Sequence, residues 1–301
     1  MRQAGRYMPS YRALREEYSL KTLFLEPELA SLVTLMPVEE LNVDAAILFS
    51  DISVVALALG LRLDFSEGPK VEPFVTPDKV PFLSADLSKL DPVIEAVRLS
   101  VSKLSVPLIG FCGGPFTVAS YLVEGGVDFA KRWAYRDPDS FQNLLDRIAE
   151  ISVAYLKAQI GAGASAVQIF DSWANALPKD LFSRFCLPYY HKILDPIDAP
   201  SILFMRGAWA HLDELLKLPC ALSLDWQSNL SLARRKTKQP LQGNLDPDLL
   251  FAPKETIRRA ARDLLASMDG DPAFIAGLGH GMKPDAPFDA AKTLIEALQG
   301  R

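Results

Sequence analysis

The sequence predicts an α/β fold, a single (β/α)8 barrel of the TIM type, on three observations. Seven short, continuously apolar runs recur along the chain, most of them followed by Gly, Asp or Ser. Runs of this kind suit strands buried on both faces of a parallel sheet. Longer helical patterns separate them, and that alternation is how parallel α/β sheets are built. The length of 301 residues is customary for one barrel, and no linker or low-complexity tract divides it. One domain over residues 1–301 is expected.

In chain order, strands are expected at 44–51 (DAAILFSD), 106–114 (VPLIGFCGG), 165–173 (SAVQIFDSW), 200–207 (PSILFMRG), 221–226 (ALSLDW), 240–245 (PLQGNL) and 273–281 (AFIAGLGHG). The residues at the amino terminus are expected to end an eighth. Helical patterns cover 27–41, with Pro37 as a kink or break, then 88–104, 137–163, 178–194, 211–218, 253–268 and 284–298. The long pattern at 137–163 begins on an acidic cap and ends at glycines. After the first strand, LRLDFSEGPKVEPFV reads as a polar hairpin turning at Glu67-Gly68-Pro69.

Composition narrows the function classes. Hydrophobic residues make up 49% and charged residues 23%, an ordinary globular balance. A net charge of −5 argues against a general nucleic-acid partner. The cysteines Cys112, Cys186 and Cys220 lack CxxC spacing, so neither a disulfide framework nor a structural zinc site follows. The longest apolar run, ISVVALALGLRL, falls short of the roughly 20 residues a membrane helix needs. The amino terminus has no apolar h-region, and Glu16 and Glu17 arrive too early for a transit peptide. A cytoplasmic enzyme without membrane or nucleic-acid partners is the expectation.

In a barrel, chemistry collects at the carboxyl ends of the strands. There the sequence places Arg2, Arg6, Asp51, the Gly113-Gly114-Pro115 turn, Asp171, Ser172, Arg206, Asp225, Asn244 and His280, and no obvious metal cluster. Four arginines in the first fifteen residues are unusual for an acidic chain. Arg2 and Arg6, four residues apart, face one way in a helical turn, either as solvated surface groups or as guanidinium forks for carboxylates. Asp51 either caps the turn after its strand or serves as an acceptor and counter-charge. GGPFTVASY offers a helix amino terminus to an anion, but no Walker Lys-Ser/Thr follows. GLGHG lacks the third glycine of a dinucleotide fingerprint, and its glycines expose His280. His191 and His211 read as ordinary helix residues. Ser172 in FDSW is not a nucleophile elbow and reads as a hydroxyl bonded to backbone.

Taken together, MRQAGRYMPSYR, FSDI (49–52), GFCGGPFTVASYLVEGG (110–126), QIFDSWA (168–174), LDW (224–226), QGNLDP (242–247) and GLGHGMKPD (277–285) resemble, in order, the blocks of the uroporphyrinogen decarboxylase family. The resemblance covers essentially the whole chain, and the opening motif is its most specific part. It implies a (β/α)8 barrel, a homodimer with facing clefts, and removal of CO2 from the four acetates of uroporphyrinogen III to give coproporphyrinogen III. No metal or organic cofactor is implied. Arg2, Gln3 and Arg6 fall at carboxylate-binding positions, and Asp51 matches the acceptor for pyrrole N–H groups. Tyr121, Phe170, Ser172 and His280 match positions lining the cleft. Arg2, Arg6, Tyr121 and His280 are the candidate proton donors.

Two alternatives are weighed against it. A zinc-dependent methyltransferase of the same superfamily needs a His-x-Cys pair where this chain reads LFMRGAW (203–209). A non-catalytic porphyrinogen binder has no need for Asp51 together with the arginines. Family members usually carry a further segment before MRQAGRY, so a barrel lacking part of strand 1 is expected to leave two open edges.

Overall fold

The computed structural model describes residues 3–65, 70–268 and 270–300. Nine strands are defined among them: β1 (Ala46–Ile47), β2 (Arg62–Asp64), β3 (Lys70–Glu72), β4 (Leu108–Gly113), β5 (Ala166–Asp171), β6 (Ser201–Met205), β7 (Ala221–Leu224), β8 (Leu241–Leu245) and β9 (Phe274–Leu278). Seven of them form one wholly parallel sheet in the order β1-β4-β5-β6-β7-β8-β9. Each lies inside a run read as a strand, and β4 is buried along its whole length. β2 and β3 form the expected antiparallel hairpin. Its turn residues lie outside the described ones.

The strand count is a correction to the eight expected: among the described residues the sheet has seven parallel strands and ends at β1 and β9. The described amino-terminal residues add no strand. Instead, the side-chain amide of Gln3 reaches the outer edge of β1, donating to Ala45 O at 2.7 Å and accepting from Ile47 N at 2.8 Å. One side chain thus supplies both halves of a ladder rung, satisfying edge groups that otherwise invite another strand.

The opening stretch differs from its sequence reading in a second way. Residues 4–8 are bends and turns, so Arg6 is not on a helical turn, and a helix follows at Pro9–Glu17. Ala4, Tyr7, Met8 and Tyr11 are buried in a core shared with Val33, Met36, Leu250, Ile257 and Leu294. The larger core lies between the sheet and its surrounding helices. Helices Pro138–Gly161 and Lys254–Ser267 stand where expected. Pro37 does not break its helix, which runs from Pro27 to Leu41. Burial of Val33, Leu35 and Met36, each worth roughly 1.5–3 kcal/mol, outweighs the one backbone hydrogen bond proline removes. The pattern at 178–194 divides into Lys179–Phe185 and Leu187–Leu194, with Pro188 in the first turn of the second helix, where its missing N–H is harmless.

Candidate active site

The carboxyl ends of the parallel strands carry the candidate residues on loops that are tied to one another. Asp51 follows β1 and is half-buried. Its Oδ1 accepts from Ser53 N at 2.8 Å and from Ser53 Oγ at 2.6 Å, capping the turn Ile52–Val54. Among the described residues no hydrogen bond reaches Oδ2. Capping and an open acceptor therefore coexist in one carboxylate, and the cap fixes the direction of the open oxygen.

Asp171, the last residue of β5, is fully buried and ties the next two loops together. Thr117 Oγ1 donates to its Oδ1 at 2.5 Å and Tyr190 OH to its Oδ2 at 2.8 Å. Burial pushes its carboxyl above the usual range, and these donors pull the other way. Trp173 N donates to Thr117 Oγ1 at 2.9 Å, locking the loop that bears Ser172 onto the helix Pro115–Leu122 that bears Tyr121. A Cβ at Gly114 would collide with the Asp171 carboxylate. The glycine-rich turn thus makes room for a buried acid. Ser172 and Tyr121 are half-buried, and neither hydroxyl is hydrogen-bonded among the described residues, so Ser172 is not the backbone-bonded hydroxyl that its sequence suggests.

Aromatic rings connect these groups to the far side of the sheet. Phe111 of β4 packs edge-on against Phe170 of β5, with centroids 5.5 Å apart, and Phe170 lies 6.0 Å from Phe204 of β6. Phe204 meets the His280 ring at 5.6 Å, and His280 meets Trp226 edge-to-face at 5.9 Å. The Arg206 guanidinium lies 5.7 Å from the Trp226 centroid. Arg206 was among the strand-end residues that the sequence offered, whereas Phe111, Phe204 and Trp226 were not singled out as site residues. Their signal was the parallel register, which sets Gly113 beside Phe170 and Phe170 beside Phe204.

Behind this surface, buried Asp225 accepts from Gly207 N at 2.8 Å and Ser228 Oγ at 2.7 Å. Asn244 Nδ2 donates to Asp225 O and Ser228 O. A Cβ at Gly279 would strike the Trp226 backbone, so only glycine lets His280 sit this close to Trp226. The loops after β6, β7, β8 and β9 are thereby held in fixed relation.

The arginines of the opening stretch separate into different roles. Arg12 Nη1 donates to Arg6 O at 2.9 Å and Tyr7 O at 3.2 Å, and Arg15 Nη1 donates to Tyr18 O, so both brace the first helix. Arg6 is exposed, without an acidic partner among the described residues. Arg2 lies outside them. Gln3 has its amide on β1, with one N–H left over.

Among the described residues no three His, Cys, Asp or Glu side chains converge to hold a metal ion. The three cysteines are free and buried, and burial pushes the thiols of Cys112 and Cys220 up to about 12. His211 stacks on Phe182 at 3.8 Å and His191 pairs with Asp195 on the surface, as befits helix residues outside the site. No described helix is long and apolar enough to cross a membrane.

The family model described as Uroporphyrinogen decarboxylase (URO-D) matches residues 1–301. The uroporphyrinogen decarboxylase of Protochlamydia amoebophila is 47% identical over 316 residues, covering 100% of this chain and 86% of the relative. That of Salinibacter ruber is 41% identical over 317 residues, covering 99% and 89%. Among solved structures, a methyltransferase from Methanosarcina mazei superposes with a TM-score of 0.81 at 25% identity, covering 92% of this chain and 86% of that one. A putative vitamin-B12 independent methionine synthase from Listeria monocytogenes shares the fold, with a TM-score of 0.61 at 10% identity and coverage of 96% and 92%. A family model spanning residues 1–301, and relatives above 40% identical over nearly all of the chain, establish that it belongs to the uroporphyrinogen decarboxylase family.

Proposed function

We propose that this chain catalyses the cofactor-independent decarboxylation of the four acetate side chains of uroporphyrinogen III, yielding coproporphyrinogen III and CO2 in tetrapyrrole biosynthesis. The observation that carries the reading is Asp51, a strand-end carboxylate with one oxygen fixed by Ser53 and the other open. The seven parallel strands are read as seven of the eight in a (β/α)8 barrel, and residues 1–301 as one domain.

The chemistry follows from the substrate. An acetate on an electron-rich pyrrole loses CO2 only if the ring can accept the electron pair left behind. Protonation of the ring carbon makes an iminium-like cation, which is that sink. As CO2 departs, the pair forms an exocyclic double bond. A proton then adds to the methylene and the ring carbon releases its own. Each acetate therefore becomes a methyl group at the expense of one proton.

A cation formed during reaction is best met by an anion already in place, because no reorganisation is then needed at the moment of reaction. Asp51 fills that role, its open oxygen accepting the pyrrole N–H groups and its charge stabilising the cation. Arg2 and Arg6 bind carboxylates at the mouth, and Gln3 holds their loop against β1. Phe170 supplies an apolar wall, while Ser172 and Tyr121 offer hydroxyls. Of the candidate proton donors, His280 carries the side-chain type that commonly exchanges protons in general acid–base catalysis. The enzyme is read as cytoplasmic and as a homodimer whose mouths face each other. Trp173 and Trp209, 36% and 39% exposed on the loops after β5 and β6, support that face as the interface.

Anaerobic incubation with uroporphyrinogen III and a chelator tests the reading, with products oxidised and their carboxylates counted by chromatography. Stepwise seven-, six-, five- and four-carboxylate porphyrins are expected. A folded protein that binds the substrate and releases none of them would replace the enzyme with a porphyrinogen binder.

A further inference from the structure

Arg206 has surroundings unlike those of the surface arginines. It directly follows β6 in the turn at the carboxyl end of that strand, and Phe204, two residues before it, meets the rings of Phe170 and His280. Its backbone is pinned from both neighbouring strands. Arg206 N donates to Asp171 O at 3.2 Å, and the next amide, Gly207 N, donates to the buried Asp225 carboxylate at 2.8 Å. The guanidinium rests on Trp226, whose other contact is His280.

What the guanidinium lacks is an acid. Arg206 is half-buried, yet among the described residues no carboxylate lies within ion-pair distance of it. The backbone is fixed on both sides, and the guanidinium carbon lies within cation–π range of the Trp226 ring. A guanidinium so held has lost little further freedom to lose on binding, and its fork of donors matches a carboxylate. Arg206 stands at the end of β6, the central strand of the sheet, three strands along from β1, beside which Asp51 stands.

We propose that Arg206, steadied by Trp226, is a further carboxylate-binding residue of the active site. It takes a side-chain carboxylate from a pyrrole ring other than the one undergoing reaction. Resting as it does on the decarboxylase reading, the assignment gives the substrate a cationic anchor three strands away from Asp51. A ring system held at two points has one orientation, with the reacting acetate placed over the open carboxylate oxygen. The anchored group is either an acetate, present only early in the sequence of four steps, or a propionate, present throughout.

The test compares wild type with Arg206→Gln, Arg206→Met and Arg206→Lys on two substrates, uroporphyrinogen III and its five-carboxylate intermediate. Met retains an unbranched stem against Trp226, so it replaces Gln should that variant not fold. Loss of one charge-assisted hydrogen-bonded contact is expected to raise KM by about 10- to 50-fold in either neutral variant. Turnover at saturation should change less, the melting temperature should stay put, and Lys should recover part of the affinity. An equal rise on both substrates assigns a propionate, and a rise on uroporphyrinogen alone assigns an acetate. Unchanged KM on both substrates in the neutral variants, with wild type turning over normally, overturns the role of Arg206 and leaves the decarboxylase intact. A wild type that turns over neither substrate overturns the decarboxylase reading and this role with it.

Discussion

Asp51 has one oxygen held by Ser53 and the other open, and the division makes its proposed role separable by substitution. Asn caps turns about as well as Asp, since the cap needs only one side-chain oxygen. Asp51→Asn therefore keeps the bonds from Ser53 and loses only the charge. Folding stability should be unchanged, while turnover falls by roughly 2–4 kcal/mol of transition-state stabilisation, the scale of a lost preorganised electrostatic partner. Kinetics of acetate loss alongside a thermal melt check this, and near-normal turnover in the Asn variant would remove Asp51 from the mechanism. At this scale the sequence was informative where a residue's neighbours in sequence are its partners, as with Asp51 and Ser53. It was misleading where partners are remote. Nothing next to Tyr7 and Met8 in sequence shows that they are buried, because much of the core that covers them, including Leu250, Ile257 and Leu294, lies more than 240 positions away. The carboxamide of Gln3 carries no local sign that it ends on the backbone of Ala45 and Ile47.

Among elements, strands were the most legible because burial on both faces writes itself as a continuous apolar run. Seven such runs became seven parallel strands, each shorter than its run, since the residues past the last ladder bond turn outward to carry the site. Helix ends were less legible, because a proline permits two outcomes: burial carried the helix through Pro37, and Pro188 instead opened a new one. The glycine-rich turn after β4 was read for its amides, yet its reason is the buried acid of the next strand. That acid, Asp171, gives an element-scale prediction. Burial raises its folded-state pKa above the unfolded value, so the folded protein holds this proton more tightly. Its contribution to stability is full below the unfolded pKa of about 4 and is lost as pH rises through the folded pKa. Asp171→Asn cannot titrate. The melting temperature of wild type minus that of Asp171→Asn should therefore fall as pH is raised from about 4, and a difference that is flat or rising with pH would contradict the raised pKa.

For the whole molecule, the question is how a chain of net charge −5 receives a substrate with eight carboxylates. Long-range attraction does not help it, so the cations must act locally, and local charge is strongest where water is scarce. Facing two mouths together would enclose them, which links the proposed dimer to catalysis. Trp173 and Trp209 are among the large apolar groups left exposed on the loops after the strands, on the adjacent loops of β5 and β6. A carboxylate in place of either would be buried without a partner at such an interface. Trp209→Glu is expected to weaken the dimer by 10-fold or more, the scale of one aromatic hot spot. Light scattering across a dilution series should show wild type at twice the chain mass and the variant dissociating at higher concentration. Activity measured along the same series then separates two consequences. If specific activity falls with the dimer, enclosure of the facing mouths sustains the chemistry at Asp51. If the monomer keeps full activity, each site is complete within one chain, and the dimer serves stability or the transfer of intermediates. A variant that remains dimeric at every dilution would move the interface away from this rim.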